Sequence, residues 1–224
     1  EERKDAIKGV PEGLALLNEL IDERRASPGD DFLSTLILAE DQGSKLSNME
    51  MCALVGAVLG AGSDTAVDLH SYLIKNLLQH PEEFESLKKD PSLVQGAISE
   101  TLRYESSGKT GLARYASEDL DINGNHIRKG QMVQLITSTA GMDSSIYNDP
   151  RKFNIQRDHD KSISFGQGPH YCIGVTLVRS QTEVMLKELF KRFPNLTLGD
   201  EIVYDYNHHN ARRMDVMTVN TNLS

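Results

Sequence analysis

The fold is decided by one stretch, Phe165-Gly166-Gln167-Gly168-Pro169-His170-Tyr171-Cys172-Ile173-Gly174. It is a glycine-rich loop with a single cysteine, and it leads into a segment with the apolar spacing of a helix, predicted over 172–192. Free backbone N–H groups and the dipole at a helix start favour negative charge, and therefore a thiolate at Cys172. Glycines on both sides allow a flat or bulky group to come close to the backbone. The loop over 165–174 therefore predicts a thiolate presented to a metal or cofactor.

Composition narrows the class of protein. The chain has 224 residues, 38% hydrophobic and 25% charged, which is typical of a globular protein. Its net charge of −9 argues against nucleic acid and against an anionic membrane surface as partners. The longest weakly polar stretch, 51–63, is shorter than the roughly 18 residues of a transmembrane helix, so we expect no membrane partner. Two cysteines, Cys52 and Cys172, make no disulfide framework, and we expect a cytoplasmic protein in which Cys52 is a buried small hydrophobe.

The pattern of apolar residues predicts a mainly α protein with a minor β-sheet, an α+β chain in which helices and strands are partly segregated. A helix is predicted over 13–25, and Asp30 or Asp31 is expected to cap a second one. Ser47 and Glu50 form a capping box at the start of a long central helix over 48–79, about 45–50 Å at 1.5 Å per residue. Short alternating segments over 111–136 predict a β-meander, and two further strands follow the final helix.

The central helix contains an unusual stretch, Gly60-Ala61-Gly62-Ser63-Asp64-Thr65. Two glycines inside a helix cost about 1 kcal/mol each relative to alanine. A sequence tolerates this cost where another group packs close to the backbone or where the helix deforms. The alternative is an ordinary helix crossing in which Asp64 is a solvated charge.

A later helix, predicted over 91–106, carries Glu100 and Arg103. Residues at i and i+3 are neighbours on a helix, so the two side chains can pair. A surface salt bridge of this kind contributes less than about 1 kcal/mol. By itself the pair is compatible with a solvated helix face.

Taken together and in this order, the glycine-rich helix stretch, the Glu-x-x-Arg pair and the cysteine loop resemble the C-terminal half of a cytochrome P450. The segment 148–157 also resembles the family's stretch before its haem loop, in the style of soluble bacterial members. The resemblance covers nearly the whole chain and implies the C-terminal half of the P450 fold. A complete member is about twice as long, so the family's N-terminal half is absent here or is supplied by another chain.

The resemblance implies a thiolate-ligated haem b and assigns its binding residues. Cys172 would be the metal ligand, and electron density from its sulfur favours O–O cleavage. The other implied cofactor-binding residues line the two haem faces or hold the propionates: Ala61, Gly62, Arg114, Phe165, Gly166, His170 and Gly174. Of these, Ala61 and Gly62 belong to the distal face, and His170 and Arg114 to the propionates.

The resemblance also implies the catalytic and supporting residues. Asp64 would relay protons to the bound oxygen and Thr65 would hydrogen-bond it. Glu100 and Arg103 would form a buried pair that supports the haem site. Their partner in the family is a second arginine, for which Arg157 is the better candidate because Met142 stands near the usual position.

The implied function is a haem-thiolate monooxygenase that oxygenates a small organic substrate with electrons from a ferredoxin or flavodoxin. A basic patch is the candidate docking surface: Arg151, Lys152, Arg157, Lys161 and Arg179. Three alternatives stay open: a haem-thiolate peroxygenase or isomerase, a non-catalytic interaction module, and an inactive fragment. Zinc binding by His170 and Cys172 is disfavoured, because no second Cys/His cluster has zinc-site spacing and His208-His209 is isolated.

Overall fold

The computed structural model describes residues 2–41, 46–108, 111–207 and 211–222. The chain divides into two compact units, Glu1–Asp64 and Thr65–Ser224. His208-His209 lies outside the described residues. The first unit is mainly helical, and the second combines helices with the strands that the structure describes.

The first unit contains α1 (Glu2–Ala26), α2 (Phe32–Asp41) and the beginning of α3 (Asn48–Gln79). Its small core consists of Ile21, Ile37, Met51 and Cys52. Helix α1 begins well before the predicted Gly13 and continues through Pro11. The first turns of α2 and α3 are both fixed by side-chain hydrogen bonds to the backbone.

Asp31 is the cap of α2. The Ser34 N–H donates to Asp31 Oδ1 over 2.7 Å, and Arg24 Nε donates to Oδ2 over 2.6 Å. The Ser34 backbone hydrogen bond, with help from Arg24, lowers the pKa of Asp31 to about 2. The predicted capping box at α3 is also present, since the Ser47 N–H donates to Glu50 Oε2 over 2.8 Å and the Glu50 N–H donates to Ser47 Oγ over 3.3 Å.

By length and composition, helix α3 could cross a membrane. No other helix in the described part of the chain meets this criterion. The expectation that no segment reaches this threshold is therefore wrong, because apolar residues such as Ala66, Val67 and Leu69 continue the helix beyond the stretch 51–63. The result is weak evidence for a membrane, since core helices of other proteins meet the same criterion. Only 17% of the apolar window is buried, so much of it remains exposed.

The second unit continues from α3 into α4 (Pro81–Lys89), a 3-10 turn (Pro91–Leu93) and α5 (Val94–Tyr104). After four short strands and α6 (Thr137–Ala140), a 3-10 turn (Gly168–His170) precedes α7 (Val175–Arg192) and a final hairpin. Its core joins α3, α4, α5 and α7 to the segment 153–155, and contains the following buried residues: Leu69, Leu73, Leu77, Phe84, Leu87, Val94, Ala97, Ile98, Phe153, Ile155 and Leu186.

Two predicted helices of the second unit differ from the structure in their bounds. The helix predicted over 91–106 opens with a 3-10 turn, because Asp90 Oδ1 accepts the Ser92 N–H over 3.0 Å, and it ends at Tyr104. Glu105 is outside the helix, with φ of −147° and ψ of 79°, although its N–H still donates to Thr101 O. Its carboxylate pairs with Lys75 and Arg212. The final helix begins at Val175 rather than at Cys172, whose N–H donates to Phe165 O over 2.8 Å and so belongs to the loop.

The β-meander predicted over 111–136 is also wrong in its pairing. Strand β1 (Leu112–Tyr115) pairs with β4 (Met132–Leu135), and β2 (Leu120–Ile122) pairs with β3 (Asn125–Ile127), all antiparallel. The tight turn at Asn123-Gly124, both with positive φ, closes β2 on β3. The following strand then returns to β1, as the Ala116 N–H donates to Gln131 O over 3.0 Å. Strands β5 (Thr197–Asp205) and β6 (Arg213–Asn220) form a third antiparallel pair.

Candidate functional site

A buried ion-pair network lies on α5. The Glu100 side chain is 0% exposed and Arg103 is 1% exposed. Arg103 donates to both carboxylate oxygens, from Nε to Oε2 over 2.6 Å and from Nη2 to Oε1 over 2.8 Å. This two-pronged geometry is the strongest form of a salt bridge in proteins. The pair is therefore a buried structural element and not the solvated surface pair that the spacing alone allows.

Residues from the segment 141–157 complete the network. Oε1 of Glu100 also accepts the Asn154 N–H over 2.8 Å and Arg157 Nε over 3.3 Å. Arg103 Nη1 donates to the carbonyl oxygens of Gly141 and Pro150, each over 2.7 Å. One helix thereby fixes the path of the chain that leads into the cysteine loop.

His159 also faces this network and was not anticipated from the sequence. Its Nε2 is 3.7 Å from Glu100 Oε2, and its side chain is 12% exposed. Burial lowers the pKa of His159, and Arg103 and Arg157 lower it further, while Glu100 and Asp158 raise it. The ring is therefore neutral near pH 7.

The cysteine loop has a closed backbone and an exposed thiol. The Cys172 N–H donates to Phe165 O, and Gly166 and Gly168 adopt φ of 76° and 62°, a conformation that side chains other than glycine rarely adopt. A Cβ at Gly166 would be only 3.0 Å from the His170 carbonyl oxygen. Cys172 and His170 are both exposed. The loop conformation thus requires its glycine and presents the sulfur outwards.

Residues on both sides of Cys172 in the chain have large apolar side chains that are exposed. Ile173 is 87% exposed, Leu177 is 63% exposed and Tyr171 is 53% exposed. Apolar groups of this size are normally covered, so the surface suits a large apolar ligand. Gly174 lies beside the sulfur, since a Cβ there would be 3.8 Å from Cys172 Sγ, an ordinary van der Waals contact. An exposed thiol next to exposed apolar side chains fits a flat apolar group such as a haem.

The remaining predicted site residues lie apart from this loop in the chain. Ala61, Gly62 and Asp64 are exposed residues of α3 in the first unit, and Thr65 is the exposed residue that opens the second. The helix is continuous through them. A Cβ at Gly62 would meet no described atom within 4 Å, so no described side chain or backbone occupies the space that this glycine leaves.

Arg114 is exposed on β1, and its Nη1 donates to the carbonyl oxygen of Ala113 over 2.9 Å. Of the basic docking patch, Arg157 is not available for a partner, because its guanidinium is 11% exposed and donates to Glu100 and to three carbonyl oxygens. Within the described ranges no group of three or more His, Cys, Asp or Glu side chains could hold a metal ion. A zinc cluster around His170 and Cys172 is therefore not supported there.

A second, partly buried charge cluster escaped sequence analysis. Glu105 pairs with both Lys75 and Arg212, and Tyr72 Oη accepts Arg212 Nε over 3.0 Å. The Tyr72 and Tyr204 rings flank both cations at 5.1–5.9 Å. These residues are far apart in sequence, so no local pattern could have revealed them.

A mainly helical fold, an outward-facing cysteine in a glycine loop and a buried Glu-x-x-Arg pair define a protein of the haem-thiolate class. The cytochrome P450 family model matches residues 11–205. The chain belongs to the cytochrome P450 family, as its motifs predicted, and the family implies a haem with thiolate ligation.

Individual relatives agree with this assignment. The chain is 40% identical over 220 residues to the epothilone C/D epoxidase of Sorangium cellulosum, covering 98% of the chain and 52% of that protein. It is 35% identical to the 6-deoxyerythronolide B hydroxylase of Saccharopolyspora erythraea, covering 91% and 50%.

The crystal structure of cytochrome P450epoK bound to epothilone D matches with a TM-score of 0.94 at 40% identity, over 100% of the chain and 56% of that structure. This match confirms the predicted fold class. The chain spans about half the length of the curated relatives it matches.

Proposed function

We propose that the full-length protein carrying this chain is a haem-thiolate monooxygenase that inserts one atom of O₂ into a small organic substrate. The observation that carries this proposal is the exposed Cys172 in a backbone loop closed on Phe165. The buried Glu100–Arg103 pair holds the segment before that loop. Two of the relatives described above, an epoxidase and a hydroxylase, support the same class of reaction.

The cofactor in this proposal is haem b, which supplies reductive activation of O₂ when bound. Cys172 would hold the iron as a thiolate, and a negatively charged sulfur is the form that binds metal. His170 and Arg114 would donate to the propionates, since both side chains are exposed donors in the second unit. Phe165, Gly166 and Gly174 would keep the loop flat against the ring.

Asp64 and Thr65 would deliver protons. The Thr65 hydroxyl can donate one hydrogen bond while it accepts another, and the Asp64 carboxylate can take up and release a proton beside it. Ala61 and Gly62 would leave room for O₂ on the same stretch of α3, as the open space at the Gly62 Cβ position suggests. This role is proposed from the residue types and from the family resemblance.

Partners and compartment follow from the same proposal. Electrons would come from a ferredoxin or a flavodoxin in the cytoplasm. The docking surface would use Arg151, Lys152, Lys161 and Arg179, without Arg157. The part of the P450 domain that the relatives have beyond this chain would complete the substrate pocket, on the same polypeptide or on another chain.

The experiment is the absorption spectrum of the ferrous carbon monoxide adduct of the full-length protein. We expect a strongly red-shifted Soret band in the wild type and its loss in Cys172→Ser. The matched control is Cys52→Ala, which removes the other thiol in the small core of the first unit and should keep the band. A band that survives Cys172→Ser would refute thiolate ligation by this residue.

Turnover is tested separately with Thr65→Ala. We expect electron consumption to continue while product formation falls, because proton delivery is impaired. Unchanged coupling would exclude the proposed role of Thr65. Product formation with hydrogen peroxide alone, and none with a reductase and a ferredoxin or flavodoxin, would indicate a peroxygenase instead.

A further inference from the structure

Arg179, in the second turn of α7, contacts the cysteine loop through the ring of Phe165. Its guanidinium carbon lies over that ring, 5.6 Å from the ring centre. A cation within about 6 Å of an aromatic face is attracted by the negative charge of that face. The Nε atom of Arg179 is buried and has no hydrogen-bond partner among the described residues. The face of Phe165 is therefore the contact that compensates this part of the buried guanidinium.

Both residues of this pair are packed against the protein interior. Phe165 and Val178, the neighbour of Arg179 in the chain, contact the core that joins α3, α4, α5 and α7. Arg179 is half-buried, and within the described ranges it forms no ion pair with a carboxylate. The attraction between a cation and a ring is stronger where water is excluded. The pair is thus a packed contact and not a chance approach of two solvated side chains.

Two backbone hydrogen bonds connect this pair to Cys172. The Cys172 N–H donates to Phe165 O over 2.8 Å, and the Val175 N–H donates to Cys172 O over 3.4 Å. Val175 begins α7, and Arg179 lies about one turn further along the same helix. The contact between Arg179 and Phe165 therefore joins the start of the loop, the cysteine and the helix after it into one closed unit. Groups behind a metal ligand fix its orientation and tune it.

We propose that Arg179 is a positioning residue for the ligand Cys172, which it fixes through the ring of Phe165. The inference rests on the proposed function, since it concerns Cys172 as the ligand of the haem iron. The guanidinium touches no reacting atom in this role. It keeps the first residue of the loop against α7, so that Cys172 stays in one place relative to the helix that follows it. The role is separate from the docking of a redox partner, because it needs no second protein.

The test is the rate at which the full-length, haem-loaded protein loses the red-shifted Soret band of its ferrous carbon monoxide adduct in urea below the unfolding midpoint. Arg179→Gln should lose the band about two- to fivefold faster than the wild type, the effect expected for one cation–ring contact. Phe165→Leu, which keeps an apolar side chain but removes the ring, should also lose it faster. In the Phe165→Leu background, Arg179→Gln should add little, because both changes remove the same contact. Arg192→Gln, exposed on the same helix, is the control and should behave like the wild type.

Circular dichroism in the same urea separates positioning of the ligand from general stability. The helical signal of Arg179→Gln should stay at the wild-type value while the Soret band decays. The inference is overturned if Arg179→Gln loses the band at the wild-type rate, if the helical signal decays together with the band, or if the change has the same effect in the Phe165→Leu background as in the wild type. These outcomes leave the proposed function intact, whereas a wild type without the band overturns both. Arg179→Met, which keeps the apolar stem without the charge, replaces Arg179→Gln if that variant does not fold.

Discussion

Replacing Glu100 by Gln should be the most damaging conservative change in this protein. Glu100 is fully buried and accepts hydrogen bonds from Arg103, Arg157 and the Asn154 N–H. The amide of Gln is the same size but carries no charge, so the poorly exposed guanidinium groups of Arg103 and Arg157 lose the counter-ion that they share. Breaking one partner of a buried pair costs about 3–5 kcal/mol. Arg103 keeps its hydrogen bonds to backbone carbonyl oxygens, which favours the lower end of that range.

The assay is urea unfolding of the full-length protein, followed by circular dichroism, with the free energy of unfolding taken from the midpoint and slope. A loss of about 3 kcal/mol is a large part of the roughly 5–15 kcal/mol of a typical domain. The matched control is Glu188→Gln, which removes an exposed pair with Arg192 at 3.4 Å. That change should cost at most about 1 kcal/mol. If Glu100→Gln costs no more than Glu188→Gln, the buried network does not stabilise the fold.

Three further changes test other parts of the second unit. Glu105→Gln should lower the free energy of unfolding by about 3 kcal/mol in the same urea assay, because Lys75 at 4% exposure loses its carboxylate partner. Gly96→Ala should cost about 1–3 kcal/mol, since its Cβ would overlap the backbone carbonyl oxygen of Ile155. His159 should make the protein acid-sensitive: its pKa is lowered in the folded state, so the unfolded chain binds the proton first and stability falls as pH drops below about 6.5.

Each of these has a control and an outcome that would contradict it. Asp205→Asn removes a half-buried carboxylate that accepts the neutral Asn207 N–H over 2.7 Å, and equal losses for it and Glu105→Gln would argue against the proposed charge effect. Gly13→Ala meets no described atom within 4 Å and should not destabilise, so equal effects at Gly13 and Gly96 would exclude a steric cause. His159→Gln should flatten the stability profile below about pH 6.5, and an unchanged profile would assign the acid sensitivity to another group.

Local sequence determined much of the helical framework. The capping box of Ser47 and Glu50 and the cap at Asp31 are contacts between residues three apart, so the sequence order alone brings them together. The glycine positions of the cysteine loop are also local, because positive φ at Gly166 and Gly168 is a property of single residues. The proposal that Cys172 ligates haem comes from this loop motif.

The tertiary structure decided which charges are buried and which strands pair. An i, i+3 pair such as Glu100 and Arg103 has the same spacing on a solvated helix, and it becomes a buried pair only because the segment 141–157 packs over it. Strand β1 pairs with β4 rather than with its neighbour in sequence, since the hairpin of β2 and β3 closes on itself. The periodicity of apolar residues predicts the strands but does not show which strands pair.

For His159, Glu105 and Arg179 too, the tertiary structure and not the local sequence decides the surroundings of the side chain. Their residue types are visible in the sequence, but their burial and their partners depend on segments up to 107 residues away, as between Glu105 and Arg212. Hydrogen bonds and charge pairs form between whichever groups the fold brings within about 3–4 Å, and sequence spacing does not report that distance. The sequence by itself therefore determined the family and the glycine positions of the cysteine loop, and only the tertiary structure defined the charge network before that loop.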